Sequence, residues 1–263
     1  MQGTVLDPEV LALWQRLQAV VAEGLRSLQV WQPREGMPFG SPTPAHQHTM
    51  PTLVLGLSGV VRVQGAAAAD LLPSDLLLVE PGCWHDHVLH KPGSSSFHLG
   101  FLAGRCDVLF FTHERVIWGS VPEQPYRELL ERLLASTKHS DRLPLADELL
   151  AQLARDRIDF VDWLQPGVLR MAAHLWNHLH LPLDAQDVVQ HAGIGRTAAF
   201  DLFKTFFGRT PKQELLAQRL ALAKHLLARG FSVRETAERC GFTNRPELTR
   251  AYRRAFGVPP TAS

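Results

Sequence analysis

The chain is poor in cysteine, has no long apolar run and carries almost no net charge. Its three cysteines, Cys83, Cys106 and Cys240, lie far apart with no CxxC spacing. An odd count without that spacing argues against a disulfide framework and fits a reducing compartment. The apolar runs are much too short to span a bilayer. Near the start, Glu9, Arg16 and Glu23 interrupt the apolar positions, so no signal peptide is read there. A cytosolic protein without a membrane partner is expected.

The net charge of +1 over 263 residues hides a split. Residues 1–165 carry 13 Lys and Arg against 19 Asp and Glu, net −6, whereas 166–263 carry 14 against 7, net +7. A basic half beside an acidic one points to a polyanion partner for the C-terminal part alone. The length favours two domains, and 45% apolar residues suffice for a core in each.

The basic half contains one structural plan written twice. Residues 184–193 read as a short helix closed by a turn glycine, and 196–207 as a second helix closed by Gly208; 232–241 and 245–256 repeat the plan. Asp184 aligns with Ser232 and Gly193 with Gly241 at an offset of 48. After one inserted residue, Ala199 aligns with Leu248, Phe203 with Tyr252, Gly208 with Gly257 and Pro211 with Pro260 at 49. Tandem helix-turn-helix units are the economical reading. Between them a helix is expected from Pro211 to about Ala228, burying Leu215, Leu216, Leu220, Ala223, Leu226 and Leu227. Its eighteen residues make a rod of roughly 27 Å, long enough to hold two reading helices near one turn of DNA apart, about 34 Å.

The second unit has the better reading helix. Asn244 is placed to cap it, Glu247 to complete a capping box, and Pro246 to sit in the first turn. With Leu248 and Tyr252 inward, Arg245, Thr249, Arg250, Arg253 and Arg254 face outward, and Arg245 and Arg250 are the candidates for guanine edges. In the first unit Gly195 occupies the cap position, which weakens the helix start. Its outer face carries Arg196, Thr197, Phe200, Asp201 and Lys204. Phe200 can press on a thymine methyl, pack against a partner or stand as a stray exposed apolar residue, and Asp201 is repelled by phosphate but can accept a bond from a cytosine amine. The first unit is therefore expected to discriminate sequence less than the second.

The acidic half begins with a helix built on Val10, Leu13, Trp14, Leu17, Val20 and Val21. From about residue 28 to 111 short Val- and Leu-rich runs are broken by Gly, Pro and Ser, which favours a small β-barrel or sandwich. Two amphipathic helices follow, over 123–134 and 144–155, and they cover the barrel or pack against a second copy. Residues 159–167 look like the join, and 168–179 open the basic half with Leu169, Ala172, Ala173 and Trp176 inward.

Together these residues resemble the AraC/XylS family of bacterial transcription regulators over about 168–262. The resemblance rests on Phe203-Lys204, Gly208-Arg209-Thr210-Pro211, Arg219-Leu220, Ala223, Leu226-Leu227, Gly241-Phe242 and Phe256-Gly257-Val258-Pro259-Pro260. Gly195, Asp201 and an early end at Ser263 depart from it. It implies double-stranded promoter DNA as partner, Arg209 as a further DNA-binding residue, a homodimer, and RNA polymerase as a second protein partner. Gly40, His46, His48 and Gly59, then Pro81, Gly82 and His85, resemble the two motifs of cupin-type sensor domains, with Thr52 near the position of the usual Glu. The implied fold is α+β: a cupin-like β-barrel followed by helices over 1–165, which binds effector and dimerises, and an all-α DNA-binding domain over 166–263.

His46 and His48, and likewise His85 and His87, are two apart and would share a face on a strand. Three readings stay open: a divalent metal held by His46, His48 and His85; a metal-free effector pocket lined by His46, His48, Trp84, His85, His87 and His98; or no ligand role. An aromatic face beside polar groups suits a sugar or similar hydroxylated ligand. A regulator that is not an enzyme, with an effector altering its DNA binding, is the leading expectation; a metal-dependent cupin enzyme and a constitutive DNA binder with a dimerisation-only barrel are its rivals.

Overall fold

In the computed structural model, residues 7–32, 47–65, 67–102, 105–113, 116–156, 158–160 and 166–260 are described. Contacts divide the chain into two units, Met1–Gln32 with Pro51–Glu80 and His85–Trp163, and Pro33–Met50 with Pro81–Trp84 and Leu164–Ser263.

The first unit opens with α1 (Pro8–Glu23), where the Asp7 side chain accepts the Glu9 amide at 2.8 Å. Val10, Leu13, Leu17 and Val20 form its buried stripe. The strands are β1 (Ser27–Trp31), β2 (Thr52–Ser58), β3 (Val61–Gly65), β4 (Ala68–Leu71), β5 (Asp75–Val79), β6 (His85–Leu89), β7 (Ser95–Leu102), β8 (Arg105–Thr112) and β9 (Val116–Val121). Two helices, α2 (Glu123–Ala135) and α3 (His139–Arg155), precede the two-residue β10 (Asp159–Phe160). The strands form two sheets, β1-β5-β2-β7-β8-β9-β10 and β4-β3-β6. Among the described residues the larger sheet ends at β1 and β10 and does not close on itself, so the domain is β-rich with two open sheets. β5 is buried along its whole length and β2 along all but its last residue, which explains their unbroken apolar runs.

Tyr126, Leu129, Leu130 and Leu133 of α2 and Ala146, Leu149, Leu150 and Leu153 of α3 are buried. The two helices pack on each other, α2 also on β8 and α3 on α1 and β1, so these faces are covered within the chain's own β-rich unit. Helix α3 begins five residues before Pro144, which was expected near its start and lies inside it.

The second unit is helical: α4 (Pro166–Asn177), α5 (Ala185–Val189), a 3₁₀ turn (Gln190–Ala192), α6 (Arg196–Phe207), α7 (Pro211–Ala228), α8 (Val233–Arg239) and α9 (Arg245–Phe256). The buried face of α4 is Val168, Met171, Ala172 and Leu175, while Ala173 is exposed, a shift in phase from the expected set. On α7, Leu216 is 41% exposed and Leu227 half-buried, and Glu214 and Gln218 take places in the interior. Polar partners make this possible. Gln218 Nε2 donates to Glu214 Oε1 at 2.6 Å, and Gln218 Oε1 accepts from the Thr49 hydroxyl. Residues 47–50 and 81–84 thus belong with the helices: the Gly82 amide bonds His48 O at 2.9 Å, and the Trp84 ring meets His180 edge-on at 5.2 Å.

Candidate nucleic-acid interface

The two repeats are built by the same local chemistry. Asp184 caps α5 and Ser232 caps α8, each closing a reciprocal capping box, with Asp187 and Glu235 respectively. The turns that follow pass through Gly193 and Gly241, both left-handed at φ 71°. Space reinforces the backbone requirement. A Cβ on Gly193 would stand 2.7 Å from the Arg170 guanidinium, and one on Gly241 would stand 2.3 Å from Leu179 O and 2.9 Å from the Arg219 guanidinium.

Those two arginines are 49 residues apart, one more than the 48 that separates Gly193 from Gly241. Arg170 donates to His191 O at 2.9 Å and Ala192 O at 2.5 Å. Arg219 donates to Leu179 O at 2.9 Å and to Leu181 O, and burial lowers its pKa. Each ties a helix to a neighbouring turn. In the sequence Arg219 figured only within the Arg219-Leu220 motif and Arg170 not at all, so their place beside those glycines was not foreseen.

Helices α6 and α9 begin differently. Asn244 Oδ1 accepts the Glu247 amide at 2.9 Å. The Glu247 carboxylate takes the Thr243 amide at 2.8 Å, so the expected box closes one residue earlier than the Asn244 amide. At the start of α6, Gly195 offers no side-chain cap. On α9 Arg245, Arg250, Arg253 and Arg254 are exposed, while Leu248 and Tyr252 sit in the core with Leu220, Ala223 and Phe242. Thr249 is half-buried and its hydroxyl donates to Arg245 O at 2.9 Å. On α6 Arg196, Thr197, Asp201 and Lys204 are exposed, and Phe200 is half-buried with the Arg196 guanidinium 5.9 Å from its ring centre.

Arg209 stands apart from both helices. It lies in the turn before α7, its Nε 3.4 Å from the buried Glu214 carboxylate. Burial pushes the Glu214 pKa up, and the Gln218 hydrogen bond and the Arg209 charge oppose that shift.

A cleft of about 630 Å³ opens beside the reading helices. Arg196 and Phe200 of α6, Arg250 and Arg254 of α9, and Lys212 and Leu216 of α7 contribute to its walls. Basic walls around a groove concentrate positive potential where a phosphate backbone would run. Lys212 was not singled out in the sequence, although an exposed lysine beside the Pro211 helix start was a usable signal.

The histidines divide between the two units. His46 lies outside the described residues, and His48 is in coil rather than on a strand. His48 and Trp84 belong to the second unit, and His85, His87 and His98 to the first. The rings of His85 and His87 on β6 are 5.0 Å apart, and His87 meets His98 of β7 at 4.4 Å. Phe111 of β8 adds an aromatic neighbour 4.3 Å from His98. Burial, then the charge of His85, lowers the His98 pKa to about 3, so this ring is neutral, with the Ser96 hydroxyl 3.0 Å from Nε2. Among the described residues no group of three His, Cys, Asp or Glu is placed to hold a metal ion.

Comparison with known proteins bears on the helical unit. Residues 188–263 match a family described as a helix-turn-helix domain. The probable transcriptional regulator LumQ of Photobacterium leiognathi is 33% identical over 89 residues, 34% of this chain and 36% of LumQ. This chain carries a helix-turn-helix domain. The matched residues run from the last turn of α5 through the end of α9. The transcriptional regulator GbdR of Pseudomonas aeruginosa is 30% identical over 97 residues, 36% of this chain, and the match spans 26% of GbdR; the chain thus covers well under half of these first relatives. ExsA, another regulator of Pseudomonas aeruginosa, is 26% identical over 228 residues, 73% of this chain and 78% of ExsA. Among solved structures, the DNA-binding domain of AdpA in complex with a target DNA is 33% identical, covering 37% of this chain and 88% of that one, with a TM-score of 0.35. No helix among the described residues is long and apolar enough to cross a membrane.

Proposed function

We propose that this protein is a sequence-specific transcriptional regulator that places α6 and α9 in successive major grooves of promoter DNA. The observation that carries this reading is the pair of exposed, arginine-bearing faces on two helices built by one repeated plan, with a basic cleft beside them. In this reading α9 carries most of the base discrimination, because its cap is complete and its face has four exposed arginines. Arg196, Thr197, Phe200 and Lys204 engage the first half-site. The residues before about 165 form the sensing and dimerising part, and those from 166 the reading part. The β-rich part senses a small hydroxylated molecule, such as a sugar, through the aromatic group of His85, His87, His98 and Phe111. Effector binding changes operator affinity by about 1–3 kcal/mol, the usual range of coupling between sites.

Selection of bound duplexes from a random-sequence DNA pool by the full chain tests the proposal. Enrichment of one motif over several rounds is the expected result. A pool that stays random while the protein retains DNA at low salt would reduce the function to non-specific binding and sink the reading.

A further inference from the structure

Helices α6 and α9 match in length and register but carry opposite charge at one outward position. Each has 12 residues, and Arg196 and Phe207 at the ends of the first stand 49 positions before Arg245 and Phe256 at the ends of the second. Each closes on a left-handed glycine, Gly208 at φ 68° and Gly257 at φ 76°, whose amides bond Lys204 O and Arg253 O. Ala199 and Phe203 are buried on α6, and their counterparts at the same offset, Leu248 and Tyr252, are buried on α9. A slip of one residue would turn a helix face by about 100°. Equal ends and equal buried positions leave no such slip, so every outward position of α6 has one counterpart on α9.

Most of these counterparts keep their charge: Arg196 corresponds to Arg245 and Lys204 to Arg253. Asp201 corresponds to Arg250, and there the charge is inverted. Both residues are exposed, and among the described residues neither side chain has an ion pair or hydrogen bond. An uncommitted carboxylate on a face turned to phosphates loses affinity by repulsion unless a base edge offers it a donor.

The major groove has such an edge. Cytosine presents its N4 amine there, whereas guanine presents the acceptors N7 and O6 and thymine O4, all of which repel a carboxylate. Adenine has an N6 amine, but its N7 acceptor lies beside it. A guanidinium has the reverse requirement and takes guanine. We propose that Asp201 reads a cytosine in the first half-site at the base step where Arg250 reads a guanine in the second, a pairing that rests on α6 and α9 occupying successive major grooves. The half-sites are then not a plain repeat but differ at that step by an inverted base pair. Arg196 and Lys204, exposed on the same helix before and after Asp201, supply the phosphate contacts that offset its repulsion.

The test is a scan of single base-pair changes across the operator selected by the full chain, with affinities measured for the unaltered protein, Asp201→Asn, Asp201→Arg and Arg250→Ala. The unaltered protein should bind about fivefold or more weakly when guanine or thymine replaces the cytosine at one pair under α6. Asp201→Arg should reverse that preference to guanine, and Asp201→Asn should move it to adenine, which asparagine grips at N6 and N7. The affected pair should lie about 10 base pairs from the one whose guanine preference Arg250→Ala relaxes. Asp201 is exposed, so its replacement leaves the fold in place. A base profile unchanged in Asp201→Asn and Asp201→Arg overturns the proposal. So does a gain in affinity equal for all four bases, which would mark Asp201 as a source of repulsion alone, and so does an affected pair at any other spacing from the Arg250 pair. A selection that yields no motif removes the DNA-reading account and this inference with it, whereas a motif indifferent to Asp201 removes this inference alone.

Discussion

Arg245 and Arg253 occupy the same exposed face of α9 but separate positions along it, and their replacement should separate two kinds of contact. In the proposed function Arg245, near the helix start, meets a base edge. Arg245→Ala should cost about 1–3 kcal/mol of specific binding and relax preference at one base position. Arg253 is two turns further on. Arg253→Ala should weaken binding to all sequences alike and lower the slope of log affinity against log salt by about 1. Titrations against matched and mismatched duplexes at several salt concentrations distinguish the outcomes. Arg209 calls for a different measurement. Its partner is the buried Glu214, so Arg209→Ala should lower the urea midpoint by the equivalent of about 1–3 kcal/mol, the cost of leaving a buried polar group unsatisfied. A change confined to DNA affinity would mark it instead as a phosphate contact. The family resemblance pointed to Arg209 as a DNA residue because motifs give positions and say nothing of which neighbour a guanidinium meets.

At the scale of elements, the two reading helices form an internal experiment on capping. Asn244 satisfies an otherwise orphaned amide of α9, and Gly195 leaves its counterpart on α6 without a side-chain partner. Asn244→Ala should therefore cost about 1 kcal/mol of stability. Gly195→Ser should raise the thermal midpoint slightly; a fall would mean that the entry to α6 depends on glycine for some other reason. Periodicity found α6, α7 and α9, and the repeated glycines fixed their ends, because capping and left-handed turns are local chemistry. It erred on the faces of α4 and α7. Leu216 looks like core in the helical pattern yet is exposed, and Gln218 looks like surface yet is buried against Thr49. That partner comes from a segment 169 residues away, and no local pattern carries such information. The same limit applies to His48, whose spacing from His46 resembles a strand pair although the residue lies in coil.

For the whole molecule, burial of histidine should set the acid limit of stability. His174 and His225 have their pKa values lowered from 6.5 to about 4, in both cases chiefly by burial and then by neighbouring charge, from His191 and His178 for the first and Arg229 for the second. His98 is lowered further, to about 3. The unfolded chain binds protons at these sites below about pH 6.5 while the folded chain does not, so stability is full above that pH and falls as the medium is acidified toward 4. Each such site contributes at most about 1.4 kcal/mol per pH unit within that window. The urea midpoint should drop between pH 7 and pH 5, and His225→Gln should flatten the drop; equal midpoints would show that these rings titrate normally. At this scale the sequence was legible in its charge, since the +7 half is the half with the tandem repeat. The topology was not. The sheet order places β5 between β1 and β2, a pairing of distant strands that alternation and turn residues do not encode.

In the proposed function one chain reads DNA twice, with α9 the stronger reader. Hydroxyl-radical footprinting of the full chain on a selected duplex tests it most directly. Two protected blocks about one helical turn, roughly 10 base pairs, apart are expected, with base changes under the α9 block weakening binding more than those under the α6 block. A single protected block, or greater sensitivity under α6, would contradict it.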